Sequence, residues 1–162
     1  MAHCEITIYN RQREVPLKLN SVSIQDVVDV VLASEQQQAD FLSLHFLSDR
    51  LMRQYHKKFF QDDSATDCMS FPIDIDDPEA TPRILGDIFI CPQTALTHVK
   101  GCPHSFWEEL TLYLVHGLLH LIGYEDTSAS SRTIMRKKEK QILSMLKERG
   151  SFISGILHVQ RT

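Results

Sequence analysis

The sequence predicts an α/β or α+β sandwich, with a small mixed sheet of about four strands packed with about five or six helices. Three observations lead there. Short apolar or alternating runs ("CEITIYN", "FLSLHFL", "CMSFPI", "ILGDIFIC") are confined to the stretch before Pro92. Between them lie longer segments whose apolar residues recur at helical spacing. From Pro92 onward the pattern is helical only, so strands and helices do not alternate to the end.

Each element has its own local reason. Cys4 to Asn10 alternates with period two and reads as a first strand. "SIQDVVDVVLASEQQQ" follows as a helix, with Ser23 and Asp26 in capping-box positions. Phe41 to Leu47 reads as a strand, and Ser48 then caps a helix through "DRLMRQYHKKFF". "CMSFPI" is a short strand. "DIDDPEATPR" is a loop, since its four acids and two prolines cannot pack as a core element. "ILGDIFIC" is the most apolar β-type run and reads as a central strand. Pro92 opens a short helix to Val99. Ser105 and Glu108 form a second capping box ahead of "FWEELTLYLVHGLLHLI", which Gly123 ends. A last helix runs from about Ser130 to Arg149 and stops at Gly150.

Bulk properties narrow the class. A chain of 162 residues, 43% hydrophobic and 23% charged, fits one domain over residues 1–162 with a core of its own, and is not disordered. No apolar run reaches the roughly 18 residues of a membrane span. "MAHCEITIYN" does not read as a signal peptide, and no membrane role is expected. Cys4, Cys68, Cys91 and Cys102 are widely spaced with no C-x-x-C pair, so reduced thiols and a cytoplasmic address are expected. A net charge of -4 argues against nonspecific coating of nucleic acid. The charge is segregated, however. Asp62 to Asp87 holds eight acids against Arg83 alone, while Ser128 to Gly150 holds seven bases against two acids. Such a pattern steers a polyanion to one face, and equally describes a solvated helix.

The chemistry concentrates in "VHGLLHLIGYEDTS", Val115 to Ser128. His116 and His120, four apart on a helix, project from one face about a turn apart. Gly123 breaks the helix, and the returning chain can bring Asp126 to the same point. H-x-x-x-H-x-x-G-x-x-D matches metzincin spacing, where helix, glycine turn and third ligand follow one another. Three protein ligands leave a fourth position for water, as a catalytic zinc requires. Paired histidines on a helix are also common without any metal, so on spacing alone both readings stand. Metalloproteases with this spacing place a glutamate base directly after the first histidine. Here that residue is Gly117, which argues against a peptidase and is expected to leave room for a bulky substrate near the helix. Zinc lowers the pKa of its bound water to about 7, so hydrolysis does not require that glutamate.

"HGLLHLIGYED" resembles the H-G-x-L-H-L-x-G-Y-D-H signature of the YbeY family of metal-dependent endoribonucleases. "TDCMSFP" (Thr66 to Pro72) is similar to the family's T-D-V-L-S-F-P, and "LGDIFIC" (Leu85 to Cys91) to its L-G-D-I-x-I. "EEL" before the histidines and "M..KE..IL" from Met135 to Leu143 also fit, so the likeness runs from about residue 40 onward. The resemblance implies an α+β fold with a single zinc-like site in a cleft. It also implies cleavage of single-stranded RNA, maturation of the 3′ end of small-subunit ribosomal RNA, and ribosome quality control. Partners would be that RNA and ribosomal proteins. His116 and His120 match the first two ligands and carry catalysis through a metal-activated water. The family's third ligand is histidine, and Asp126 stands there; Glu125 stands where aspartate is usual.

An oxygen ligand binds zinc at about 2.0–2.2 Å, much as a histidine nitrogen does. Zn2+, one per chain, is therefore expected, with Mn2+ or Fe2+ admitted by the harder donor. Phe60 occupies a position where the family often has arginine, so His56 and Lys57 are expected to supply substrate charge, with Arg132 and Arg136 from the last helix. Ser70 and Phe71 would line the cleft, Asp67 would order a turn, and Asp87 would stabilise another. The alternative is a non-catalytic ribosome assembly factor that uses the same cleft to bind RNA or a ribosomal protein.

Overall fold

A computed structural model describes residues 3–62, 64–100 and 103–158, residues 103 and 104 by their backbone only. Four strands form the main sheet: β1 (Glu5–Asn10), β3 (Phe41–Phe46), β4 (Cys68–Pro72) and β5 (Ile84–Ile90). Their order is β1-β3-β5-β4. β1 and β5 both run parallel to β3, and β4 closes one edge antiparallel to β5. The sheet is mixed, and the described elements include five helices, as the sequence predicts. A two-stranded ribbon was not foreseen: β2 (Leu17–Leu19) pairs antiparallel with β6 (Gly155–Leu157). Its strands are three residues each, too short to give a period-two signal.

Helix α1 (Ser21–Ser34) starts two residues before the expected Ser23 cap. Asn20 caps it instead, its side chain accepting from the Val22 amide. The Ser23 hydroxyl, inside the helix, donates to the Asn20 carbonyl and accepts from the Ser154 amide, which ties the C-terminal segment down. α1 also stops at Glu35 rather than running through the glutamines. α2 (Asp49–Phe60) is capped by Ser48 as expected. α3 (Pro92–His98) begins at its proline. α4 (Pro103–Leu121) is already helical before Ser105, so that serine is not its cap. α5 (Ala129–Arg149) has a capping box formed by Ser128 and Ser131, and Gly150 ends it at φ 64°.

Why α4 lies at the centre follows from its sequence. Phe106, Leu110, Leu114, Val115, Leu118, Leu119 and Leu121 are fully buried, so the helix is apolar on more than one side. The sheet covers one side, and α1, α3 and α5 cover others. Each such side chain contributes about 1.5–3 kcal/mol by leaving water. Leu42, Leu44 and Phe46 of β3 and Ile88 and Ile90 of β5 meet α4 in this core. On the opposite sheet face, α2 packs Met52 and Tyr55 against Met69, Phe71 and Phe89. Gly86 is needed where β5 passes β4: its φ is +143°, and a Cβ there would fall 2.1 Å from the Phe71 carbonyl oxygen. Cys4, Cys68 and Cys91 are free thiols, and Cys102 lies outside the described residues. Among the described residues no helix is long and apolar enough to cross a membrane.

Candidate metal centre

The last two turns of α4 carry the histidines, and the chain reverses immediately after them. The Ile122 amide still bonds to Leu118, but Gly123 then turns at φ +110° with its amide on the His120 carbonyl. The Tyr124 amide bonds back to Leu119, which closes the helix end. Asp126 thereby returns to the histidines, with Arg132 donating to the Asp126 and Thr127 carbonyls at 3.4 and 3.3 Å.

The three side chains form a tight group. Nε2 of His116 and Nε2 of His120 are 3.1 Å apart, and Asp126 Oδ2 stands 3.6 Å from the first and 3.4 Å from the second. Three ligands held about 2.05 Å from one tetrahedral ion would stand about 3.3 Å from one another. The donor set and its spacing therefore fit a single divalent cation. The side chains of His116, His120 and Asp126 are 30%, 26% and 40% exposed, so the group opens to solvent on one side. It lies in a cleft of about 340 Å³ walled by Asp67, Tyr113, Arg132, Arg136 and Glu139.

Each histidine is held through its other nitrogen. His120 Nδ1 lies 2.9 Å from the Tyr124 carbonyl. The Tyr124 hydroxyl in turn donates to Glu35 at 2.8 Å, and Lys138 pairs with the other oxygen of Glu35 at 3.1 Å. Desolvation and the Glu35 contact push the Tyr124 phenol up to about 12. His116 Nδ1 lies 2.5 Å from Glu139 Oε1. Burial works against the charged imidazole of His116, but the hydrogen bond to Glu139 and the charges of Glu139, Asp67 and Asp126 outweigh it. Its pKa is raised above the usual histidine value.

The other predicted site residues divide into two groups. Arg132 and Arg136 wall the cleft, whereas Ser70 and Phe71, expected to line it, do not. The Ser70 hydroxyl donates to the Gly117 carbonyl at 3.2 Å, bracing β4 against α4. Phe71 faces the opposite side of the sheet, packed against Phe59, Phe60 and Phe89. His56 is on α2 near Phe60 on that same side, its Nδ1 3.1 Å from the Ser64 carbonyl, and Lys57 is exposed beside it. Asp87 stabilises no turn: it sits within β5, 3.1 Å from Nε2 of His45. Gly117 opens no room for substrate either. A Cβ at that position would fall 2.8 Å from Ile88 and 3.1 Å from Cys68, so the residue faces the core. Sequence reasoning gave Glu139 no role, and an acid 23 residues beyond a histidine carries no local signal.

Fold and site together define a class: α+β proteins with a three-ligand candidate metal centre at the end of a histidine-bearing helix. Comparison with known proteins narrows it. The family model described as "Endoribonuclease YbeY" matches residues 5–147. A protein named endoribonuclease YbeY from Protochlamydia amoebophila is 40% identical over 145 residues, spanning 88% of this chain and 95% of the relative. Its counterpart from Chlamydia pneumoniae is 35% identical over 154 residues, spanning 93% and 96%. A solution structure of a Thermotoga maritima protein shares the fold with a TM-score of 0.52 at 19% identity, over 91% of this chain and 95% of that one. The chain belongs to the YbeY endoribonuclease family, hydrolases of RNA phosphodiester bonds.

Proposed function

We propose that the protein is a metal-dependent endoribonuclease that cuts single-stranded RNA. In this reading it is a single functional domain that works in the cytoplasm. It takes part in 3′-end maturation of small-subunit ribosomal RNA and in ribosome quality control, with ribosomal proteins as partners. One observation carries the reading: three ligand atoms of His116, His120 and Asp126 lie within 4.8 Å of one another, in a cleft walled by Arg132 and Arg136.

A divalent cation held there, Zn2+ or the harder Mn2+ or Fe2+, would supply Lewis acidity at a phosphodiester oxygen and activate water. The chain's own residues do the rest. His116 and His120 offer neutral nitrogens, and Asp126 offsets one positive charge. Arg132 and Arg136, which wall the cleft, would hold the phosphate backbone of the RNA. His56 and Lys57, on the face of the sheet opposite α4, would meet RNA outside the cleft. With phosphate contacts of this kind, RNA affinity falls steeply as salt rises.

The first test is metal content of untagged protein, wild type against Asp126→Ala, followed by cleavage of a single-stranded RNA by wild type and His116→Ala. About one metal per chain, lost from the Asp126 variant, together with cleavage lost in the His116 variant, supports the reading. A His116→Ala protein that cuts RNA at the wild-type rate overturns it. Metal without cleavage points instead to an assembly factor that binds RNA in this cleft.

A further inference from the structure

The two histidines at the centre are anchored by different chemistry. His120 rests on a main-chain carbonyl, whereas His116 rests on a carboxylate from another helix. Glu139 Oε1 is committed to Nδ1 of His116, and that ring's Nε2 faces His120 and Asp126. A carboxylate facing Nδ1 accepts, so the neutral ring must carry its proton on Nδ1 and keep its lone pair on Nε2. Free neutral imidazole has no such constraint.

The helix that presents this carboxylate is rigidly seated. Met135 is four residues before Glu139 and Ile142 three after, both 1% exposed, so all three share the face that packs toward α4. The Glu139 side chain itself is only 13% exposed. The preceding residue, Lys138, is fastened to Glu35. Little water competes for the carboxylate, and the helix cannot easily slide.

We propose that Glu139 is a positioning residue: it locks His116 in the Nδ1–H tautomer and aims its Nε2 lone pair at the metal, so that α5 sets the affinity of a centre carried by α4. The proposal rests on the reading that this cluster holds a metal. Glu139 is not itself a ligand here. A carboxylate in this position also raises the basicity of the nitrogen opposite, and losing such a partner weakens metal binding about 10–100-fold.

Three variants test it. Glu139→Ala removes the acceptor, Glu139→Met removes it at nearly constant length, and Glu139→Gln keeps an acceptor oxygen without the charge. The probe is Zn2+ alone, titrated against a chromophoric chelator. Alongside it, long-range proton–nitrogen spectra of metal-free protein at alkaline pH read which nitrogen of His116 bears the proton. In wild type that nitrogen should be Nδ1. In the Ala and Met variants the proton should spread to Nε2, and zinc affinity should fall about 10–100-fold. Gln should recover part of that affinity over Met, which a purely space-filling role would not produce. If the Ala variant does not fold, the Met variant decides. A Met variant with the wild-type tautomer and wild-type zinc affinity overturns the proposal. Wild type that takes up no zinc instead overturns the metal reading, and the metal-free tautomer still decides the role of Glu139.

Discussion

Gly117→Ala adds one methyl group at a close approach between α4 and β5. Its Cβ would stand 2.8 Å from Cγ2 and 3.2 Å from Cδ1 of Ile88, and 3.1 Å from Sγ of Cys68. Carbon atoms pack at about 3.5–4.0 Å, so α4 and β5 must part locally by roughly 0.7–1.2 Å. Ile88, Leu118 and Leu119 are fully buried, which leaves the strain no nearby space to relax into. Overpacking of this kind costs about 1–3 kcal/mol. Alanine's helix propensity over glycine returns about 1 kcal/mol. The net expectation is a loss of about 0–2 kcal/mol, measured as a lower urea midpoint at unchanged m. Because His116 is the adjacent residue, zinc affinity should fall as well. A variant stabilised by about 1 kcal/mol, as at an exposed helical site, would refute the packing argument. The same crowding explains why no glutamate base stands after the first histidine: that position faces Ile88 and Cys68.

Two further predictions follow the centre's geometry and its protons. A Cβ at Gly123 meets nothing within 4 Å, so Gly123→Ala is opposed only by its φ of +110°. Strain there costs about 1–3 kcal/mol and displaces the return of Asp126; thermal melts with and without zinc should show both effects, and unchanged zinc affinity would contradict the turn's role. The raised pKa of His116 sets the sign of the pH dependence. In metal-free protein it adds stability that is complete below the unfolded value of about 6.5 and is lost as pH rises through the higher folded value. Zinc needs the neutral ring, so its affinity should fall as pH drops through that folded value, and binding should release protons. Calorimetry in buffers of different ionisation enthalpy reads that release, and a zinc affinity flat from about pH 6 to about pH 8 would contradict it.

By itself the sequence determined whatever is written in short range. One period-two run marked β1 and short apolar runs marked the other three strands of the main sheet, while helical spacing with a serine cap or a proline start marked α2 and α3. Two histidines four apart, a glycine and a following acid specified the candidate ligand group, because one helical turn and one reversal suffice to bring them together. Local signals misled where tertiary contact outweighed them. Ser23 caps nothing at its own position; its hydroxyl reaches both Asn20 and the distant Ser154. Asp87 has the look of a turn residue in the sequence, yet it lies in a strand beside His45. Only the tertiary structure decided which surfaces border the centre. Alternation puts neighbours on opposite faces, so Ser70 braces α4 while Phe71 packs under α2. Glu139 reaches His116 only because α5 packs back across α4. No periodicity records that contact, since it depends on how two finished helices pack.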